Sequence, residues 1–235
     1  MLSIIMKIYS KLSSKNYINY LRKQGAKIGE GTVVFYPRNV FIDNTRPWMI
    51  EIGKNVQITK NVSILTHDYS WSVLKGKYGE ILGASGKVTI GDNVFIGFNT
   101  TILKGVTIGN NVIIGANSVV SKNIPSNCVA CGNPAKVIMT LDEFKKRRED
   151  KQITEVCELI NEYIKTYKKD PNDDVLREFM FLYKERNQQT LDNKVFQNIA
   201  SLVNNYDETI KNFQKKSAKF KDIHELIEYA QTKQQ

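Results

Sequence analysis

Aliphatic residues return at every sixth position through the middle of the chain. The frame is unbroken over Ile90, Ile96, Ile102, Ile108, Ile114 and Val120; Gly91, Gly97, Gly109 and Gly115 follow four of these, and Val94, Thr100, Val106, Val112 and Ser118 stand four places on. An earlier stretch repeats the pattern with Ile52, Ile58 and Ile64 accompanied by Val56 and Val62, and Ile28, Gly29 and Val34 open the series. The apolar positions of an amphipathic helix would drift around its face at this spacing, and an alternating strand would leave no place for a Gly-Asp/Asn-Asn turn at each interval. A period of six predicts short strands joined by tight turns, stacked as three hexapeptides per coil of about 18 residues, with aliphatics inside and Gly and Asn at the corners. A sandwich of short strands is the competing architecture, but so many successive in-frame matches are hard to obtain from unrelated strands.

The frame breaks just after Ile64 and resumes at Ile90, shifted by two positions. The intervening segment, about Tyr69 to Lys87, must therefore leave the coil as a loop, and loops on rigid scaffolds are where function concentrates. Residues 3–24 carry Ile4, Ile5, Ile8, Leu12, Tyr17, Tyr20 and Leu21 at spacings that fit an amphipathic helix capping one end of the coil, with binding to a membrane surface as the alternative. From Leu141 the six-residue period gives way to helical spacing. Ile153, Val156, Ile160, Tyr163, Ile164 and Tyr167 mark one helix ending before Pro171; Val175, Leu176, Phe179, Leu182 and Tyr183 a second; Val195, Ile199, Leu202, Val203 and Tyr206 a third; and Ile223 to Ala230 a short fourth. The expected organisation is a helical cap over 1–24, a β-coil over 25–140 and an α-helical extension over 141–235, the last a candidate module for binding a partner or positioning an acceptor.

Charge sharpens this division. The chain has 235 residues and a formal charge of +10, and residues 1–140 hold 16 Lys and Arg against 6 Asp and Glu, whereas residues 141–235 hold 18 of each. A basic first part could attract nucleic acid, an anionic membrane or a phosphate-rich small molecule; no zinc-finger, helix-turn-helix or RNP-like pattern favours nucleic acid. The opening MLSIIMKIYSKL is too short an apolar run to span a bilayer and lacks a cleavage pattern, so a cytoplasmic location is expected and no transmembrane segment. Cys128, Cys131 and Cys157 form no dense framework, and the isolated CxxC has no second pair or nearby histidine to complete a metal site, so no metal is expected.

Two histidines are present, His67 and His224. His224 lies in a charged helical pattern, whereas His67 stands in ILTHDYS at the point where the repeat breaks. A neutral imidazole suits the role of a general base near neutral pH. Taken by itself, His67 is equally readable as a buried or surface histidine.

The stretches YLRKQGAKIG, ILTHDYS, VTIGDNVFIG, TILKGVTIGNNVIIGANSVVSKNIP and CGNPAKVI resemble the hexapeptide-repeat acyltransferases, in the branch of galactoside, maltose and capsular-polysaccharide O-acetyltransferases, over residues 20–140. The resemblance implies a left-handed parallel β-helix, a homotrimer with active sites between neighbouring subunits, acetyl-CoA as donor and a saccharide hydroxyl as acceptor, in a cell-surface polysaccharide or its precursor. It implies His67, in THD, as the catalytic base. Asp43 falls where these enzymes place an acidic residue that contacts the acceptor, with a turn or capping role as the alternative. Asp68 could orient the imidazole or tie down the loop, although neighbours on a strand point to opposite faces. The backbone amides of Phe98 and Ala116 match positions used along the pantetheine groove, and Ser121, Lys122 and Lys136 match contacts near the nucleotide end of CoA, where ammonium groups meet phosphates. Phe95 stands where the family often has Trp. Three rival functions remain to be weighed. N-acetylation of a nucleotide-linked amino sugar usually comes with an N-terminal nucleotide-binding domain, for which the first residues leave no room. A γ-class carbonic anhydrase needs three histidines on zinc, and this chain has two. A non-catalytic β-helix scaffold with a helical interaction module would have no need of THD beside a basic CoA end.

Overall fold

The computed structural model describes residues 10–233. Ile4, Ile5 and Ile8, assigned above to the capping helix, lie outside the described residues. The chain divides into two compact units, Met1–Phe144 and Lys145–Gln235.

The first unit is built from very short strands: β1 (Lys27–Ile28), β2 (Val33–Val34), β3 (Phe41–Ile42), β4 (Ile50–Ile52), β5 (Gln57–Ile58), β6 (Ser63–Ile64), β7 (Val88–Ile90), β8 (Val94–Ile96), β9 (Thr101–Ile102), β10 (Thr107–Ile108), β11 (Val112–Ile114), β12 (Val119–Val120), β13 (Cys128–Cys131) and β14 (Lys136–Thr140). They form three sheets ordered β1-β4-β7-β10, β2-β5-β8-β11-β13-β14 and β3-β6-β9-β12. Up to β12 every strand pairs in parallel with the strand three places along, so the chain visits the sheets in rotation and lays each winding on the last. β14 departs from this order and returns antiparallel along β13.

Register explains the period of six. Ile28, Ile52, Ile90 and Ile108 pair in one column, Val34, Ile58, Ile96 and Ile114 in a second, and Ile42, Ile64, Ile102 and Val120 in a third. Nearly all of these are fully buried in a single core, each contributing on the order of 1.5–3 kcal/mol of hydrophobic stabilisation. At the corners, Asn93, Asn99, Asn111 and Asn117 adopt left-handed backbone angles with φ of 55° to 59°, which asparagine tolerates better than other non-glycine residues. Their amides ladder from winding to winding, Asn93 to Asn111 at 2.9 Å and Asn99 to Asn117 at 2.8 Å. Gly97 is required by proximity: a Cβ there would lie 2.6 Å from the Ala116 backbone nitrogen of the next winding.

The helix α1 (Ser14–Lys23) covers the first winding, burying Tyr17, Ile18 and Leu21 in the same core as Val34. An exposed strand edge would present unpaired backbone groups. Here the Ser14 hydroxyl accepts from the Val34 amide at 2.9 Å, and Arg22 donates to the Ile28 and Gly29 carbonyls at 3.0 and 3.1 Å. Ser13 caps the helix by accepting from the Asn16 amide.

The windings are not all alike. Partner residues sit 18 positions apart in the later windings but 38 apart where the chain passes from β6 to β7. The excess is the expected excursion, and it contains a helix, α2 (Trp71–Tyr78), that the sequence pattern did not announce.

The second unit is helical. The longest helix, α3 (Leu141–Tyr167), ends before Pro171 as expected. The Val175–Tyr183 pattern forms a 3-10 turn over Arg177–Leu182 rather than an α-helix. The single helix expected over Val195–Tyr206 is two: α5 (Lys194–Ala200) and α6 (Tyr206–Lys215), preceded by a one-turn α4 (Gln188–Leu191). The break falls where Val203 and Asn204 take positive φ, and Leu202, expected on the apolar face, is exposed. Asn204 suits this point because Asn tolerates the left-handed region, whereas the β-branched Val203 adopts it against its own preference. α7 (Ile223–Thr232) closes the unit, capped by the Asp222 carboxylate. Val156, Ile160, Leu176, Tyr183, Phe196 and Phe213 lead its core.

Candidate active site

Where the chain leaves the third sheet, successive windings stack one above the other. Asp43, Leu65 and Leu103 each donate their amide to the carbonyl of the next winding, at Ile64, Ile102 and Val120, all at 3.0 Å. This edge therefore carries Asp43 on the first winding, Thr66 and His67 on the second, Lys104 on the third and Ser121 and Lys122 on the fourth.

His67 and Asp43 meet directly. The imidazole Nδ1 lies 2.7 Å from Asp43 Oδ2, bringing together residues 24 positions apart. Asp43 is only 1% exposed, and its carboxylate is fully engaged. Oδ1 accepts from the Thr45 amide at 3.0 Å and the Thr45 hydroxyl at 2.7 Å; Oδ2 accepts from the Thr66 hydroxyl as well as from His67. Burial pushes the pKa of this carboxyl up, but the hydrogen bonds from Thr66, Thr45 and His67 outweigh it and hold the group well below the usual carboxylate range. The fixed charge holds a proton on Nδ1, which leaves Nε2 as the basic nitrogen. The His67 side chain remains 32% exposed.

This geometry changes the reading of both aspartates. Asp43, expected against the acceptor, stands behind the imidazole with both oxygens taken by the protein's own donors. Asp68 faces away from the imidazole, pairing with Lys104 and accepting from the Ser70 amide at 2.9 Å. The reason is the alternation of side chains along an extended chain, with His67 and Asp68 directed to opposite sides. The Lys104 ammonium, then Ser70, holds the Asp68 carboxyl well below the usual carboxylate range.

The excursion begins and ends beside His67. His67 pairs with Ser85 as an isolated antiparallel bridge, and the Thr66 carbonyl accepts from the Gly86 amide at 2.9 Å. A Cβ on Gly86 would lie 2.6 Å from the Gly105 nitrogen, so the returning chain passes closely over the following winding. Thr45, Thr66 and Lys104 were not singled out in the sequence. The Asp-x-Thr spacing of an Asx turn at 43–45, and a threonine immediately before the histidine, were the available signals.

The remaining candidates are distributed. Ser121 and Lys122 are exposed on the His67 edge, two windings on. Phe98 and Ala116 stack on a different edge, where the chain passes from the second sheet to the third; the Phe98 carbonyl accepts from the Asn117 amide at 2.8 Å. Lys136 is exposed on β14. Phe95 is exposed on β8, in register with Gln57 and Ile113. Cys128 and Cys131 are free thiols on one strand, and among the described residues no group of three His, Cys, Asp or Glu side chains could hold a metal ion. No described helix is long and apolar enough to cross a membrane.

Known proteins share the repeat region. Residues 87–122 match the family model for the bacterial transferase hexapeptide (six repeats). Protein CapG of Staphylococcus aureus is 41% identical over 143 residues, which span 60% of this chain and 81% of CapG. The galactoside O-acetyltransferase of Escherichia coli is 41% identical over 99 residues, 42% of this chain and 48% of that enzyme. Among solved structures, a maltose O-acetyltransferase from Clostridium difficile is 30% identical and covers 57% of this chain and 82% of its own, with a TM-score of 0.40. With its stacked windings, its family match and a relative of this identity matched over most of its length, the chain belongs to the hexapeptide-repeat acetyltransferases.

Proposed function

We propose that this protein transfers an acetyl group from acetyl-CoA to a hydroxyl of a saccharide, in a cell-surface polysaccharide or its precursor, with His67 as general base. The observation that carries the proposal is the Asp43–His67 pair, in which a buried carboxylate fixes Nδ1 and directs a basic Nε2 outward. Nε2 takes the proton of the acceptor hydroxyl as its oxygen attacks the thioester carbonyl. The resulting imidazolium returns that proton to the departing thiolate, so the acid and base requirements cancel over one turnover. Asp43 stabilises the transient imidazolium without itself accepting the proton, the division of labour seen in other carboxylate-oriented histidines. The saccharide acceptor is supported by the similarity to the Escherichia coli galactoside O-acetyltransferase.

In this reading the three-sheet winding is a left-handed parallel β-helix, and the active unit is a homotrimer. The distribution of residues supports the second point: His67 occupies one edge of the winding and the Phe98 and Ala116 amides another. A donor lying along the second edge would reach the His67 of a neighbouring subunit. Ser121, Lys122 and Lys136 would then face the phosphates of CoA, as point charges and a hydroxyl donor.

Incubation with acetyl-CoA and a panel of saccharides, following CoA release and product mass, tests the proposal. His67→Ala should lower turnover by about 10²- to 10⁴-fold with an unchanged circular dichroism spectrum. Wild-type turnover in that variant would refute His67 as the base.

A further inference from the structure

The first winding differs from those above it in what it shows to solvent. Phe41 lies on the outer side of β3, and the residues in register with it on the next two windings are Ser63 and Thr101. Phe35 follows Val34, and its counterpart one winding on, after Ile58, is Thr59. In these two columns an aromatic ring on the first winding is replaced above by a hydroxyl. Tyr36 and Trp48 stand on the same winding, 56% and 65% exposed, with Leu12 exposed just ahead of α1. β1, β2 and β3 are the outermost parallel strands of the three sheets, so these rings form a collar around one end of the coil.

Charge accompanies the aromatics. Lys15, Arg22, Lys23 and Lys27 are exposed on and after α1, and Arg38 is exposed between β2 and β3. Residues 10–49 contain two acids, Glu30 and Asp43, and Asp43 is buried against His67.

We propose that this end of the coil docks on an anionic lipid surface. Trp and Tyr prefer the headgroup level, where a ring meets both apolar and wet surroundings, and cationic side chains beside them gain from the negative surface potential. A two-fold contact of the collar with its own image is disfavoured, because it would bring the basic set against itself. Docking by this end would leave the His67 edge on the side of the coil, free for its reaction. The inference does not depend on the acetyl-transfer proposal, since it concerns a different set of residues and a different readout.

The test is sedimentation of the full chain with vesicles of phosphatidylcholine containing about a third phosphatidylglycerol, compared with phosphatidylcholine alone, at low and high salt. Binding is expected to the anionic vesicles and to weaken with salt. The Lys15→Glu/Lys23→Glu/Lys27→Glu variant should lower the partition coefficient at least about a hundredfold, since each basic residue near the surface contributes about fivefold. Trp71→Phe leaves Trp48 as the sole indole, and its emission should shift to the blue on anionic vesicles. Equal binding to both vesicle types, full binding by the charge-reversed variant, or an unmoved Trp48 emission would each overturn the proposal. So would a change of oligomeric state in the charge-reversed variant, by light scattering, with vesicle binding intact; that result would assign the collar to a second copy. Turnover on a free saccharide should be the same in this variant as in the wild type, which separates the two proposals.

Discussion

The windings from β7 to β12 and those below them are built from the same hexapeptides, yet they do different things. Above, the chain advances by a constant 18 positions per winding, and a Cβ added at Gly91 or Gly97 would run into the backbone of the next winding. Below, the chain lengthens its corners, and the extra residues supply Asp43, Thr45, Thr66, His67 and the excursion that returns at Ser85. Uniform windings make a rigid post; the Asp43–His67 pair stands where the repeat is interrupted and the backbone is released from the stacking rule.

The contrast can be broken first at the interrupted end. Asp43→Asn should lower acetyl-transfer turnover by up to about 10⁴-fold, because an amide can donate to Nδ1 and so favour the wrong tautomer of His67. The same variant sharpens the assignment through pH. Asp43 has a depressed pKa in the folded state, so the stability it contributes is full above the unfolded carboxylate pKa, near 3.9, and is lost as pH falls toward the folded value. The melting temperature of Asp43→Asn should therefore lie below that of the wild type at neutral pH, and the gap should begin to narrow below about pH 5 and keep narrowing as pH falls through and below the ordinary carboxylate range. A gap independent of pH would show that the carboxylate charge is not what matters.

For core and corner residues of the uniform windings the expected effects fall on stability. Ile102→Ala removes a fully buried side chain from the stacked column and should cost about 2–5 kcal/mol in urea unfolding. Asn111→Ala is the smallest step. It loses the amide ladder to Asn93 and Asn127 and places alanine at a φ of 55°, for an expected loss of about 1–2 kcal/mol. Turnover per folded molecule should be unchanged in both.

The same contrast governs what the sequence disclosed. The columns through Ile90 and Ile102 were legible because each hexapeptide reports the same environment, so a single pattern is repeated until chance is an inadequate account of it. The excursion was legible as an interruption, but α2 was not, since its residues bury no apolar face and leave no periodic trace. His67 was visible through its motif, whereas the role of Asp43 depends on a contact across 24 positions that no local spacing encodes. The pairing of Asp68 with Lys104 is of the same kind. In the helical unit, α3 announced itself by length and period. The break before Tyr206 did not, because Leu202 and Val203 continue the apolar spacing while the backbone at Val203 has already left the helix.

Constant windings also set a scale. Neighbouring strands lie about 4.8 Å apart, so each winding raises the next corner by that step. Phe98 and Ala116 stand one such step from each other, and Lys122 stands two steps above His67, on fixed rungs that no loop can stretch. The coil thus works as a ruler, graduated in strand spacings, against which an extended donor molecule would be measured. Inserting or deleting one whole 18-residue unit would preserve every column and change only the reading on that ruler.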